Sequence, residues 1–187
     1  WLGWQLPVRT DNRHGSARIQ GIDCREVIRR FGEGQVAVVP GFQGLGSDAR
    51  VTTLGRGGSD TSAVALAAAM QADRCDIYTD VDGVYTADPR IVSTARKIDR
   101  ITYEEMLELA SQGAKVLQTR SVELAMNHRA RVQVRSSFNE TPGTLVVDED
   151  EIVEHAVVSG IDYASDEAKG TLLNVNDRQG VAAAVFG

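Results

Sequence analysis

A glycine-rich stretch at residues 54–62, Leu-Gly-Arg-Gly-Gly-Ser-Asp-Thr-Ser, carries the residues best suited to chemistry. Its glycines permit backbone angles and close approaches that other residues do not, and residues 59–62 offer oxygens that could cap a following helix. The free N–H groups at the start of that helix favour an anion, and Arg56 adds a planar fork of donors suited to a carboxylate or a phosphate. The stretch therefore predicts an anion-binding loop. The alternative is a glycine-rich turn with a good helix cap.

A second glycine-rich turn, Pro-Gly-Phe-Gln-Gly-Leu-Gly, occupies residues 40–46 directly after an apolar run at 36–39. In open α/β sheets, ligands gather beyond the carboxyl ends of the strands. The two glycine-rich turns could thus face one crevice. No GxGxxG opens a helix and no GxxxxGK[ST] occurs in the chain, which disfavours both a Rossmann dinucleotide site and a P-loop.

The segment 78–90, Tyr-Thr-Asp-Val-Asp-Gly-Val-Tyr-Thr-Ala-Asp-Pro-Arg, combines a turn signal with polar residues. The Asp82-Gly83 pair between two valines predicts a β-hairpin. Asp80 would suit a place beside magnesium and phosphates, because Mg²⁺ binds through one or two carboxylates and substrate oxygens. The segment could hold a nucleotide, and the alternative is a surface hairpin with ordinary polar residues. The side chains that a hairpin does not require are Thr79, Asp80, Tyr85 and Arg90.

Lys115 lies at the start of a predicted helix, within Gln-Gly-Ala-Lys-Val-Leu at 112–117. A cation there opposes the helix dipole, a small cost that is easier to understand if an anion binds nearby. The alternative is a solvated lysine.

The elements that must position these loops alternate between strands and helices. An apolar run such as 36–39 is typical of a strand buried on both faces, and a nearly uncharged helix such as 60–73 should be buried against a sheet. The alternation predicts an α/β domain with a largely parallel sheet. Predicted helices span 24–31, 60–73, 103–112 (with a capping box from Thr102 and Glu105) and 115–128; predicted strands span 36–39, 51–54, 74–79, 131–136, 144–147, 157–163 and 169–175.

Composition excludes several classes of protein. The 187 residues contain 20 Lys and Arg against 26 Asp and Glu, a net charge of -6, which argues against a nucleic-acid partner. No apolar run approaches the roughly 18 residues that span a bilayer. Cys24 and Cys75 form no CxxC or Cys/His cluster, so we expect two buried thiols in a reducing cytoplasm and assign no metal ligand. Because the chain opens without Met and closes on an apolar run, we expect a fragment.

Five segments resemble the aspartate kinase (aspartokinase) family in order and in approximate spacing. GRGGSD followed by TDVDGVYTADPR is the most specific part of the resemblance, which runs through essentially the whole chain. The resemblance implies the amino-acid-kinase fold, a three-layer αβα sandwich with a mostly parallel sheet, followed by the start of a regulatory α+β ACT domain. It divides the chain into the C-terminal part of a catalytic domain (1–147), a linker (148–156) and an ACT start (157–187). The five segments are residues 41–44, 53–63, 78–90, 113–125 and 157–169.

The resemblance also implies a reaction: ATP-dependent phosphorylation of the L-aspartate side chain to 4-phospho-L-aspartate, the first step toward lysine, threonine and methionine. It implies ATP with Mg²⁺ held mainly by the nucleotide, feedback by lysine or threonine or both, and a homo- or hetero-oligomer at full length. The implied residues are Arg56, Asp60 and Lys115 for catalysis; Phe42, Arg56, Gly57 and Ser59 for aspartate; Thr79, Asp80, Tyr85, Arg90 and Lys115 for ATP; and Asp177, Gly180 and Ala182 for the effector.

One family motif, an N-terminal Lys-Phe-Gly-Gly-Thr-Ser or similar, does not occur in the 187 residues. Its lysine contacts the transferring phosphate in the family, so we expect these residues alone to have negligible kinase activity. Two other functions stay open. One is another amino-acid kinase, acting on glutamate or acetylglutamate, and the other is a non-catalytic regulatory or assembly chain.

Overall fold

The computed structural model describes residues 1–2, 5–113, 116–152 and 159–162. In these residues, short strands alternate with helices. The strands are β1 (Val8–Thr10), β2 (Ile19–Ile22), β3 (Gln43–Leu45), β4 (Val51–Thr53), β5 (Cys75–Thr79), β6 (Arg100–Thr102), β7 (Val132–Ser136) and β8 (Thr144–Val147). The helices are α1 (Arg25–Phe31), α2 (Gly58–Met70), α3 (Tyr103–Gln112) and α4 (Thr119–His128), and a 3₁₀ turn spans Glu149–Glu151.

The strands form two four-stranded sheets, in the orders β2-β1-β3-β4 and β5-β7-β8-β6. The pairs β1–β3, β5–β7 and β6–β8 are parallel, and the pairs β1–β2, β3–β4 and β7–β8 are antiparallel. The α/β class predicted from the sequence is confirmed. The sheets are mixed rather than largely parallel, because each antiparallel pair joins strands that follow one another through a short connection, which cannot accommodate a crossover.

The larger hydrophobic cluster lies between the second sheet and helices α2, α3 and α4. Burial alternates along β7, where Val132 and Val134 are buried, as a strand with one covered face requires. Met106 of α3 and Ala125 of α4 are fully buried in the same cluster. These contacts fix the second sheet and its helices as one layered unit.

Helix α2 is covered on two sides, which explains why its interior carries almost no charge. Val64 and Ala67 belong to the larger cluster. Leu66 and Met70 pack against a smaller cluster formed around Leu6, Val8 and Val27. The predicted burial of this helix is confirmed.

The predicted capping box of α3 is also confirmed. The Thr102 hydroxyl accepts a hydrogen bond from the Glu105 N–H at 3.1 Å, and the Glu105 carboxylate accepts one from the Thr102 N–H at 3.0 Å. Gly113 caps the other end of the helix with a φ of 133°, a conformation that favours glycine.

The strand predicted at 36–39 is wrong. The segment belongs to neither sheet, and Val36 and Val38 are 88% and 78% exposed. Ala37 and Val39 pack against the smaller cluster. An apolar run shows that a segment prefers burial, but the tertiary structure decides which faces are covered, and here only one face is.

Two other predicted elements differ in extent. The helix predicted at 115–128 begins at Thr119, and Lys115 lies outside the described residues. Of the strand predicted at 157–163, residues 159–162 are described and form no strand. The strand predicted at 169–175 lies wholly outside the described residues. No helix in the described ranges is both long and apolar enough to cross a bilayer.

Candidate active site

The glycine-rich loop leads from β4 into α2 through two residues in the left-handed region. Gly55 has a φ of 81° and Gly57 a φ of 66°. The helix begins at Gly58, with Gly57 as its N-cap and no capping side chain. Within the described residues the N–H groups of Ser59 and Asp60 donate to no acceptor, so they remain available to an anion.

The sequence-based capping assignment for residues 59–62 is wrong, because the helix starts earlier than predicted. Thr61 and Ser62 already lie inside its first turns. Their hydroxyls donate back to the carbonyls of Gly57 at 3.0 Å and Gly58 at 2.7 Å. Glycine takes the N-cap place instead, since only residues that tolerate a positive φ fit there.

The second glycine-rich turn lies directly against the start of α2. The N–H of Phe42 donates to the Ser62 hydroxyl at 2.9 Å, and its carbonyl accepts from the N–H of Leu54 at 3.0 Å. A Cβ added to Gly58 would lie 2.7 Å from the Phe42 ring, and one added to Gly41 would lie 3.1 Å from the Cα of Ser59. The structure therefore brings the two glycine-rich turns together.

The charged residues of this loop have different surroundings. Arg56 is exposed and forms no ion pair with any residue in the described ranges. Ser59 is exposed beside it, whereas Asp60 is half-buried, and burial raises the pKa of the Asp60 carboxyl. The loop thus carries an unpaired arginine shortly before two free N–H groups, and both kinds of donor can bind a carboxylate or a phosphate.

Thr79 and Asp80 lie at the carboxyl end of β5. The Thr79 hydroxyl donates to the Asp80 carboxylate at 3.1 Å, and the Thr79 carbonyl accepts from the N–H of Ser137 at 2.8 Å. Helix α2 packs on β5 and the chain turns back between them at 71–74. The end of β5 and the start of α2 therefore lie at the same edge of the layered unit, where α/β proteins bind ligands.

The hairpin predicted at Asp82-Gly83 is wrong. Tyr85 instead forms an isolated antiparallel β-bridge with Lys97, and the N–H of Ile98 donates to the Val84 carbonyl at 2.8 Å. This backbone pairing encloses a loop much longer than a two-residue hairpin turn. Gly83 is required for another reason. Its φ is 154°, and an added Cβ would lie 2.7 Å from the Thr144 hydroxyl.

Lys97 is a residue of this loop that the sequence analysis missed. Its ammonium donates to the Asp82 carboxylate at 3.3 Å and to the Pro142 carbonyl at 2.8 Å. The Tyr85 hydroxyl donates to the same carboxylate at 2.9 Å, and this hydrogen bond raises the Tyr85 pKa. Asp82 therefore organises the loop from within, and the Tyr85 hydroxyl proton is committed to it.

Arg90 lies on an exposed turn, where its guanidinium binds both oxygens of Asp88, at 3.0 and 2.7 Å. Its side chain is 88% exposed, and an ion pair so exposed contributes little stability. Of the other predicted site residues, Lys115, Asp177, Gly180 and Ala182 lie outside the described residues.

Helix α4 supplies two further contacts to the glycine-rich loop that the sequence analysis missed. A Cβ added to Gly57 would collide with the Gln118 side chain. Arg120 donates to the carbonyls of Leu54 at 2.8 Å and Ala17 at 2.6 Å. No local pattern marks either residue, since their partners are distant in sequence.

The two cysteines are buried and unpaired with each other, as predicted. Burial raises the pKa of the Cys75 thiol to about 11 and raises that of Cys24. In the part of the chain that the structure describes, no three His, Cys, Asp or Glu side chains are grouped so as to hold a metal ion.

Comparison with known proteins identifies the family. The sequence profile described as "Amino acid kinase family" matches residues 3–136. The chain is 53% identical, over 188 aligned residues, to an aspartate kinase of Pseudomonas putida, and 52% identical over 189 residues to an aspartokinase of Corynebacterium glutamicum. All of this chain is aligned in both cases, against 46% and 45% of the relatives. It thus spans about half the length of these curated relatives.

Solved structures of aspartokinases are also similar to this chain. The E. coli aspartokinase III complex with aspartate and ADP superposes with a TM-score of 0.70 at 39% identity, covering 79% of this chain and 34% of that one. An aspartate kinase from Synechocystis superposes with a TM-score of 0.68 at 47% identity, covering 84% and 25% of the two chains. The family profile covers well over half of this chain and includes both glycine-rich turns and the 78–90 segment. The chain therefore belongs to the amino acid kinase family.

Proposed function

We propose that this protein is an aspartate kinase, which in its complete form transfers a phosphoryl group from ATP to the side-chain carboxylate of L-aspartate. The products are ADP and 4-phospho-L-aspartate. The observation that carries the proposal is Arg56, an exposed arginine on the glycine-rich loop that leads directly into the free N–H groups at the start of α2. The names of the relatives and the aspartate and ADP in one neighbouring structure support the same substrates.

The chemistry asks for positioning and charge neutralisation rather than for a base. A carboxylate is already a nucleophile, and phosphoryl transfer is accelerated mainly by alignment and by neutralising the transferring group. Aspartate and ATP are both anions, while the chain carries a net charge of -6. Cations must therefore be placed locally. Arg56 and the first turn of α2 would hold the substrate carboxylate, with Phe42, Gly57 and Ser59 shaping its site and Asp60 beside it.

The nucleotide would bind at the end of β5, near Thr79, Asp80, Tyr85, Arg90 and Lys115. Asp80 is exposed at this edge and has no cationic partner in the described ranges, so its carboxylate fits a place beside a magnesium nucleotide. Mg²⁺, held mainly by the nucleotide, would neutralise phosphate charge when bound. Arg90, on the exposed turn, would supply a cation to the phosphates.

The test is a hydroxamate assay for acyl phosphate on the full-length product of the gene, with aspartate, glutamate and acetylglutamate compared at equal concentration. We expect hydroxamate with aspartate and ATP together, and none when either is omitted. Product with glutamate or acetylglutamate alone would assign the protein to the other kinase class. The isolated 187 residues are expected to give negligible product, and robust turnover by them would contradict that expectation.

We also propose that residues 157–187 begin a regulatory ACT domain, with Asp177, Gly180 and Ala182 in an effector site for lysine or threonine. A neighbouring structure contains lysine and aspartate, which supports an amino-acid effector. A ligand that binds the native state raises its melting temperature. Thermal melting of the full-length product with lysine, threonine or both therefore tests the proposal. A shift without any kinase activity would favour the non-catalytic regulatory chain.

A further inference from the structure

Arg120 joins parts of the molecule that are far apart in sequence. Its half-buried guanidinium, at the start of α4, donates to the carbonyls of Leu54 at 2.8 Å and Ala17 at 2.6 Å. Both acceptor residues are buried, Leu54 to 2% exposure and Ala17 to 0%. Arg120 forms no ion pair within the described ranges. Its donors therefore serve the backbone rather than a carboxylate.

The two carbonyls belong to the segment that enters the glycine-rich loop and to the segment hydrogen-bonded to it. Leu54 is the last residue before Gly55, where the backbone turns into the left-handed region. Ala17 belongs to the neighbouring segment, and its N–H donates to the Thr53 carbonyl at 2.9 Å. The Arg120 fork thus closes a set of hydrogen bonds that holds the end of β4 at the point where the loop leaves it.

The N-cap residue of α4, Gln118, also contacts the middle of the loop. The Gln118 side chain fills the space beside Gly57, so that no Cβ fits there. The loop is therefore held at its entry by Arg120 and at its N-cap glycine by Gln118, and Arg56 lies between these two contacts. Displacing either contact would move the backbone that carries the Arg56 guanidinium.

A planar guanidinium suits this position better than an ammonium would. It directs separate N–H groups at two carbonyls at once, and it cannot lose its charge. Arg120 is also distinct from Arg56 in exposure. Arg56 projects outward with no partner in the described ranges, whereas Arg120 is half-buried and already hydrogen-bonded.

We propose that Arg120 is a positioning residue, which fixes the glycine-rich loop and thereby sets where Arg56 meets the acidic amino-acid substrate. This assignment rests on the proposed aspartate kinase function. It predicts that loss of the fork weakens the use of aspartate far more than the use of ATP. Four of the five proposed nucleotide residues (Thr79, Asp80, Tyr85 and Arg90) lie at the end of β5 and on the chain that follows it, away from the carbonyls that Arg120 binds.

The test compares Arg120→Met and Arg120→Lys with Arg129→Met in the full-length product of the gene. Arg129 is a matched control, since it ends the same helix and pairs with Asp148 at the surface, at 3.3 Å. For Arg120→Met we expect the KM for aspartate to rise roughly tenfold, the scale of a lost charge-assisted hydrogen bond. We expect a smaller rise for Arg120→Lys and a KM for ATP within about twofold of wild type.

Hydrogen exchange of residues 54–60, measured on the same variants, separates the two proposals. We expect faster exchange there in Arg120→Met than in Arg129→Met, with unchanged exchange over β7. A wild-type protein that does not phosphorylate aspartate would overturn the proposed function, and faster exchange would then still support positioning of the loop. Exchange equal to the control would overturn the role of Arg120. A proportional rise in the KM values for aspartate and ATP, together with faster exchange throughout the protein, would also overturn that role, because it indicates general destabilisation. If Arg120→Met does not fold, the KM values and the hydrogen exchange of Arg120→Lys are compared with those of Arg129→Met to test the role of Arg120.

Discussion

The cationic residues of the candidate site differ in whether an acidic side chain already pairs with them. Arg90 and Lys97 are bound to Asp88 and Asp82, whereas Arg56 is paired with nothing in the described ranges. A cation without a protein partner keeps its full donor capacity for a ligand. Arg56 is therefore the residue whose removal should affect substrate binding most directly.

Arg56→Ala in the full-length product should raise the KM for aspartate or lower kcat, costing about 2–4 kcal/mol of transition-state binding if the charge is buried against the substrate. Steady-state kinetics with both substrates measures this. Arg50→Ala removes an exposed arginine from the β3–β4 turn and should leave both constants near wild type. Unchanged constants for Arg56→Ala would show that the loop does not bind aspartate through this residue.

Cys75 predicts a dependence of stability on alkaline pH. Burial raises its pKa to about 11 from 9.0, so between these values the folded state keeps a proton that the unfolded state loses. The stabilisation is full below about pH 9 and is lost as the pH rises toward 11. Between pH 8 and 10 the free energy of unfolding of the wild type should fall about 1 kcal/mol more than that of Cys75→Ala. Urea titrations of both proteins at the two pH values measure it, and parallel declines would refute it.

At the scale of elements, the proposed anion site depends on a helix, α2, whose start carries no capping side chain. Gly57 holds a φ of 66° against the Gln118 side chain, and within the described residues the N–H groups of Ser59 and Asp60 are left without an acceptor. A capping side chain would occupy the anion's place. The geometry of the loop thus depends on α4 as well as on its own sequence.

Gly57→Ala and Gly34→Ala separate backbone strain from crowding. Gly34 has a similar φ of 74° with no atom within 4 Å of an added Cβ, so its substitution should cost about 1 kcal/mol from the left-handed conformation alone. Gly57→Ala carries the same strain and a collision with Gln118, and should cost clearly more. Chemical denaturation measures both, and equal costs would mean that Gln118 moves aside freely.

At the scale of the whole molecule, the chain after β8 returns to the loop at 82–97, where the nucleotide is proposed to bind. The N–H of Ile161 donates to the Thr86 carbonyl at 2.8 Å, and the Ser159 hydroxyl binds the Glu105 carboxylate. An added Cβ on Gly160 would lie 3.3 Å from the Leu109 side chain. Residues 159–161 therefore connect the loop at 82–97 with the start of α3.

Ile161→Pro removes the donor to Thr86 and should loosen the 82–97 loop, since proline has no N–H. We expect faster hydrogen exchange over residues 82–97, including the Thr86 N–H that donates to Arg96 at 2.9 Å. Ile161→Val keeps the N–H and is the control. Equal exchange in the two variants would mean that this hydrogen bond does not hold the loop.

Local sequence signals were sufficient where the relevant contacts are local. The capping box of Thr102 and Glu105 involves residues three positions apart. The uncharged interior of α2 and the alternation along β7 each reflect one element's own faces. The loop at 54–62 could likewise be predicted to lead into a helix start, because its glycines, its arginine and that helix start are contiguous; its anion binding stays a prediction.

Local sequence patterns gave wrong predictions where burial or strand pairing depends on residues that are distant in sequence. The apolar run at 36–39 does not specify that only Ala37 and Val39 are covered. Asp82-Gly83 has the composition of a tight turn, yet Thr144 and Lys97 from later in the chain account for its glycine. A short pattern cannot encode contacts made by residues that follow many positions later.

The sequence by itself determined the α/β class, and it marked the glycine-rich loop and the other contiguous motifs from which the candidate site is proposed. Only the tertiary structure decided that the two glycine-rich turns meet at Phe42 and Ser62. It also decided that Arg120 binds the carbonyls of Leu54 and Ala17, which lie 66 and 103 positions away in sequence. The physical reason is that composition and spacing favour a local conformation, whereas hydrogen bonds between distant segments depend on how the whole chain packs.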